Sequence, residues 1–275
     1  MTTRLAVSNL AWPAEQEDAA FALLAHLGVP GVEVAPTRLA PWDELSVAQL
    51  ADYRTRLTAS GLVVSSLQAL LFGRPELQLL GEQTVFAAML EHIRRVSEVA
   101  AQLGGRVMVF GSPRNRLRGK MAADAAWAMA RERLGLLGEI AAAADVAIGV
   151  EPVPAFYGGD FLTVWQDVLR MVEEVASPGL QVHLDTGCVS LGGGAIQAAV
   201  DACAHSLAHF HAAQPQLGPF DDPTPTHAQA GAALQRIGYE RWVAIEMREQ
   251  PGDPLAAVAQ AVRFVRSAYP IDGGA

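Results

Sequence analysis

Short apolar runs alternate with longer amphipathic stretches from one end of the chain to the other. The runs are rich in Val, Ile and Leu, as strands buried on both faces are. They predict strands at Arg4–Ser8, Gly31–Val34, Leu62–Ser66, Arg106–Phe110, Val146–Glu151, Leu180–Asp185, Leu207–His211 and Trp242–Glu246. The stretches between them carry helix punctuation. One sets Val85, Met89, Ile93, Val96, Ala100 and Leu103 on a single face and stops at Gly104-Gly105. Ser46 caps another, which runs to Gly61. Asp253 caps the last, with Pro254 at its first position and Leu255, Val258, Val262 and Val265 turned inward.

Eight strand–helix units with no linker and no break in composition predict an α/β protein, a single (β/α)8 TIM barrel over residues 1–275. An open doubly wound sheet is the alternative, but it calls for a Gly-rich turn after the first strand, and SNLAWPAEQ has none. Gly192-Gly193-Gly194 reads as a flexible turn before a short helix rather than a phosphate loop.

Composition narrows the partners. Hydrophobic residues make up 51% of the 275, enough for one large core, and no run is long enough to span a membrane. The opening MTTRLAVSNLAW lacks the basic and apolar regions of a signal peptide. Cys188 and Cys203 make no disulfide framework, so a reducing cytoplasm is the simplest compartment. A formal net charge of -9 disfavours nucleic acid as a partner.

The strand ends carry the chemistry, because barrel enzymes work at the face where strands finish. Strands five to eight finish on Glu151, Asp185, His211 and Glu246. Taken singly, such a residue caps the next helix or pairs with an arginine more often than it does chemistry. Together, three carboxylates and an imidazole at one mouth raise one another's proton affinity unless a cation sits among them. Oxygen donors plus one nitrogen suit Mn2+, Mg2+, Co2+ or Zn2+. His209 shares a face with His211, and His183 with Asp185, since residues two apart on a strand point the same way. His211 is the expected ligand, with His209 and His183 one layer deeper.

At these residues the chain resembles the xylose isomerase-like barrel superfamily, the sugar phosphate isomerase/epimerase group that includes tagatose and psicose 3-epimerases. The resemblance spans the chain and is carried by "GVEPVP", "VHLDTGCV", "HFHAAQ" and "GYERWVAIEM". It implies that Glu151, Asp185, His211 and Glu246 hold one divalent metal, and that Glu151 and Glu246 act as acid and base. It also places Cys188 where the family's Asp-x-x-His motif carries a substrate-contacting histidine, a departure that leaves the substrate open. The nuclease branch adds histidines at the ends of the second to fourth strands. Here Glu33-Val34-Ala35, Ser66-Leu67-Gln68 and Phe110-Gly111-Ser112 stand there instead.

On the substrate side, Arg116 leads a basic loop, VFGSPRNRLRGK, as the candidate clamp for a carboxylate or phosphate. Its bland alternative is a solvated loop. Trp12 is a candidate sugar-stacking ring or a packing residue, and Glu33 and Gln68 are candidate hydroxyl-binding groups. Segment AAQPQLGPFDDPTPTH is a candidate lid, with His227 near the start of the next helix. The expectation is a metal-dependent isomerase or epimerase of a small sugar or related polyhydroxy carbonyl compound, with a homo-oligomer possible. A lyase or dehydratase of the same superfamily, such as a 3-dehydroshikimate dehydratase, is the alternative, and a non-catalytic sugar-binding barrel is a third reading.

Overall fold

The computed structural model describes residues 3–271. Eight parallel strands close into a barrel in chain order: β1 (Arg4–Ser8), β2 (Gly31–Val34), β3 (Val63–Leu67), β4 (Val107–Phe110), β5 (Ala147–Val150), β6 (Leu180–Asp185), β7 (Leu207–Ala213) and β8 (Trp242–Glu246). Around it lie α1 (Glu17–His26), α2 (Val47–Ala59), α3 (Gln83–Leu103), α4 (Ala123–Ala143), α5 (Trp165–Val175), α6 (Thr186–Leu191), α7 (Ile196–Cys203), α8 (Thr226–Arg236) and α9 (Pro254–Ala268). The single barrel expected from the alternation is the fold observed.

Local signals act as expected. Ser46 and Gln49 form a capping box at the start of α2. Asp253 accepts the Ala256 N–H at 3.0 Å to open α9. Gly104 ends α3 at φ 87°, a left-handed turn that a side chain resists. Strands β3, β4 and β5 shift by one residue at one or both limits, and β7 runs two residues further than His211. The cause of the extension is visible: Ala213 pairs with Glu246 on β8, and its N–H donates to the Thr186 hydroxyl at 2.9 Å.

Period-two alternation stacks the barrel interior in layers. At the bottom, Trp242 fits because Ala6 and Gly31 are small. A Cβ on Gly31 would stand 2.5 Å from the indole. Arg4 stacks over the same ring at 4.3 Å. The middle layer is polar, holding Glu33, His183 and His209, all 0% exposed. Above it, at the strand ends, come Glu151, Asp185, His211 and Glu246. An apolar shell of Val, Leu, Ile and Ala between barrel and helices surrounds this polar column. Water exclusion by that shell is what makes every charge inside it consequential.

Candidate active site and metal centre

Each of the four strand-end residues is delivered by its own strand. Asp185 ends β6 and caps α6, with Oδ1 accepting the Cys188 N–H at 2.6 Å. That leaves Oδ2 turned to the mouth, buried and without a hydrogen-bond partner. His211 points Nδ1 the same way, 3.6 Å from Asp185 Oδ2 and 3.0 Å from Glu246 Oε2. Glu151 completes the group: ligand atoms of Glu151, Asp185 and His211 lie within 4.8 Å of one another. Gly111, at the end of β4, is the residue that makes space for it. A Cβ there would meet Glu151 Oε2 at 1.9 Å.

Charge in this space is frustrated. Burial, then Asp185 and Glu246, push the Glu151 carboxyl up to about 8. Burial also raises Glu246, against the pull of His211. Burial opposes charging His211, but Glu33 and Glu246 outweigh it and hold the imidazole well above its ordinary range. An orphaned carboxylate oxygen, a Glu151 that keeps its proton and an imidazole nitrogen facing two acids are the donor set of a divalent ion. The residues fit such an ion. Glu151, Asp185, His211 and Glu246 would hold it.

Cys188 joins the group, its thiol donating to Glu151 Oε1 at 3.4 Å. Burial and the neighbouring carboxylates push that thiol well above its usual range. The thiol therefore stays protonated as a weak donor to Glu151. Behind it the Gly192–Gly194 turn gives all three N–H groups to main-chain carbonyls, so none is free for a phosphate.

Other expectations change. Arg116 is no clamp at the mouth: it is 1% exposed, and its Nη2 donates to the Glu151 carbonyl at 2.6 Å. Its fork braces the main chain beneath Glu151, and burial lowers the guanidinium to about 10, still cationic at neutral pH. The rest of its loop is the solvated basic stretch, with Arg114 and Lys120 exposed. Trp12 has no face open to a sugar, being 1% exposed within the main core. Glu33 and Gln68 do not reach the mouth as hydroxyl binders. Gln68 donates to Glu33 Oε1 and Ser8 Oγ, both at 2.8 Å. Burial alone would raise Glu33, but His211 and His209 outweigh it and hold the carboxyl well below the usual range. His183 lies beneath the site, its ring centroid 4.2 Å from that of His211, with both nitrogens unpartnered.

Sequence reasoning expected the segment after β7 as a lid but missed the residues that hold it in place. After β7 the chain turns at Pro215–Leu217, with Gln216 and Leu217 at φ 61° and 56°. Gln216 N–H donates to the Tyr157 hydroxyl at 2.8 Å, and Arg248 Nη2 donates to the Gln216 carbonyl at 2.6 Å. The expected lid segment is thus pinned to the loops after β5 and β8. Burial, with the neighbouring Asp185 and Glu246 carboxylates, pushes the Tyr157 phenol up to about 12. An aromatic in a Pro/Gly-rich loop directly after a strand was the available signal. His227 sits in the first turn of α8, as expected.

The fold and this arrangement define the class. The chain belongs to the xylose isomerase-like TIM-barrel family, whose model matches residues 21–268. Solved structures of the same fold include a D-allulose 3-epimerase from Methylomonas sp. in complex with D-allulose, at 20% identity and TM-score 0.79, covering 98% of each chain. A D-psicose 3-epimerase from Clostridium cellulolyticum H10 with D-tagatose aligns at 15% identity and TM-score 0.80, over 97% of this chain and 99% of that one. A 3-keto-D-glucoside 4-epimerase from E. coli aligns at 19% identity and TM-score 0.78, over 96% and 99%. No curated protein sequence matches the chain. The fold is that of sugar isomerases and epimerases, and among the described residues no helix is long and apolar enough to cross a membrane.

Proposed function

We propose that this chain is a divalent-metal-dependent isomerase or epimerase of a small sugar, ketose or related polyhydroxy carbonyl compound. One observation carries the reading. Glu151, Asp185 and His211 converge within 4.8 Å, with Glu246 3.0 Å from the His211 nitrogen that faces them. Similarity to epimerases solved with D-allulose and D-tagatose supports the substrate class.

A bound divalent ion supplies Lewis acidity to a substrate carbonyl and its neighbouring hydroxyl. The protein's own groups move the proton. One of Glu151 and Glu246 removes the hydrogen from the carbon beside the carbonyl, leaving an enediolate, and the other returns a proton. Their raised proton affinities suit that exchange near neutral pH. Asp185, tied to the Cys188 N–H, stays in place through the cycle. Closure by Tyr157, Gln216 and Arg248 keeps water from the enediolate. Arg116 fixes the Glu151 main chain, so the carboxylate swings about a set point.

The test is product analysis on a panel of ketoses, aldoses and keto-acids, with each candidate ion and with chelator. Ion-dependent interconversion of isomers or epimers is the expected result. Loss of water from a substrate would assign the dehydratase reaction instead, and turnover undiminished by chelator would overturn the metal-dependent reading.

A further inference from the structure

We propose that Glu33 is the positioning residue of this site: its carboxylate fixes the His211 proton on Nε2 and so aims the Nδ1 lone pair at the ion among Glu151, Asp185 and Glu246. The inference rests on the metal-dependent reading above and adds what holds the nitrogen ligand in its working form.

Glu33 is sealed in the barrel at 0% exposure, on β2, far in sequence from every expected ligand. Its Oε2 is met by Ser66 Oγ at 2.8 Å, His209 Nε2 at 3.0 Å and His211 Nε2 at 2.9 Å. Its Oε1 accepts from Gln68 Nε2 at 2.8 Å, and Gln68 also donates to Ser8. A carboxylate only accepts, so the nitrogens facing Oε2 must carry their protons. An imidazole with its proton on Nε2 keeps its lone pair on Nδ1. That is the His211 atom facing Asp185 and Glu246. The grip from Gln68 on the other oxygen prevents the carboxylate from turning away.

The same proton placement settles the deeper cluster. His183, His209 and His211 bring nitrogens within 4.8 Å of one another, which by spacing alone resembles a second metal site. Two of those rings turn an N–H toward Glu33, so the layer works as a hydrogen-bonded support. Carboxylates that receive the far N–H of a ligand histidine typically contribute about 10–100-fold to metal affinity.

Two measurements on the full chain test this. The first is long-range 1H–15N NMR of zinc-loaded wild-type protein labelled at histidine, which should place the His211 proton on Nε2. The second is Mn2+ affinity, by EPR of free Mn2+, for wild type and Glu33→Gln. That variant keeps the volume but exchanges an acceptor oxygen for an NH2 group, and about 10–100-fold weaker binding is expected. Circular dichroism checks that the variant is folded; if it is not, the wild-type spectrum decides alone. A His211 proton on Nδ1, or a folded variant that binds Mn2+ as well as wild type, would overturn the proposal. Wild-type protein that takes up no divalent ion overturns the metal-dependent reading itself, and this inference with it.

Discussion

Gly111 on the edge of β4 and Glu151 after β5 occupy one space: a Cβ at position 111 would stand 1.9 Å from Glu151 Oε2. The clash falls on the tip of a flexible side chain rather than on main chain. Gly111→Ala should therefore leave the melting temperature close to wild type and displace the carboxylate. A displacement near 1 Å in a reacting group costs about 100-fold in rate. Turnover and melting measured together check it, and a fully active variant would show that Glu151 does not work where it stands.

Glu151→Gln and Glu246→Gln remove the groups assigned to proton transfer while keeping their shape. Each should lower kcat by about 100- to 10,000-fold, the usual range for an acid or base. Incorporation of solvent deuterium at the substrate carbon should fall in step. Near-normal turnover in either variant would remove that glutamate from the mechanism.

The strand ends were legible because period-two alternation and burial on both faces leave few ways to place a charged residue at the end of an apolar run. Glu151, Asp185, His211 and Glu246 follow from that rule, and so do four strands to the residue. Roles that depend on contacts distant in sequence were not legible. Glu33 reads as a mouth residue until His211, 178 positions away, is seen on its oxygen. Arg116 reads as a solvent-facing clamp because a loop pattern does not tell inward from outward. Its partner is a main-chain carbonyl 35 residues on, which no side-chain pattern encodes. Trp12 reads equally as stacking platform or core, and packing alone decides.

Ion affinity should depend on pH. Burial, with Asp185 and Glu246, pushes Glu151 up to about 8, so it carries a proton at neutral pH that an entering cation must displace. His211, held protonated by Glu33 and Glu246, must also release its Nδ1 proton, so affinity should rise by about tenfold or more per pH unit up to about pH 8. In the ion-free protein the sign is opposite for stability. Glu151 holds its proton more tightly than an ordinary glutamate, which titrates near 4.5, so its contribution is complete below that pH and is lost as pH rises through about 8. Competition titrations across that range check the first effect and melting curves the second. A flat affinity profile would contradict the assignment.

Tyr157→Phe removes the acceptor that pins Gln216 across the mouth. A hydrogen bond of this kind contributes about 0.5–1.5 kcal/mol. KM should rise by a few fold while kcat changes less, because the loop closes over substrate without touching the exchanged proton. Steady-state kinetics check it, and an unchanged KM would free the loop from any part in binding.

The central claim is that Glu151, Asp185, His211 and Glu246 share one ion. The most direct measurement is anomalous diffraction from a crystal equilibrated with Mn2+. A single strong peak bounded by those four side chains, with His211 bound through Nδ1, is the result predicted. Density confined to the protein surface, with none among those four side chains, would contradict it.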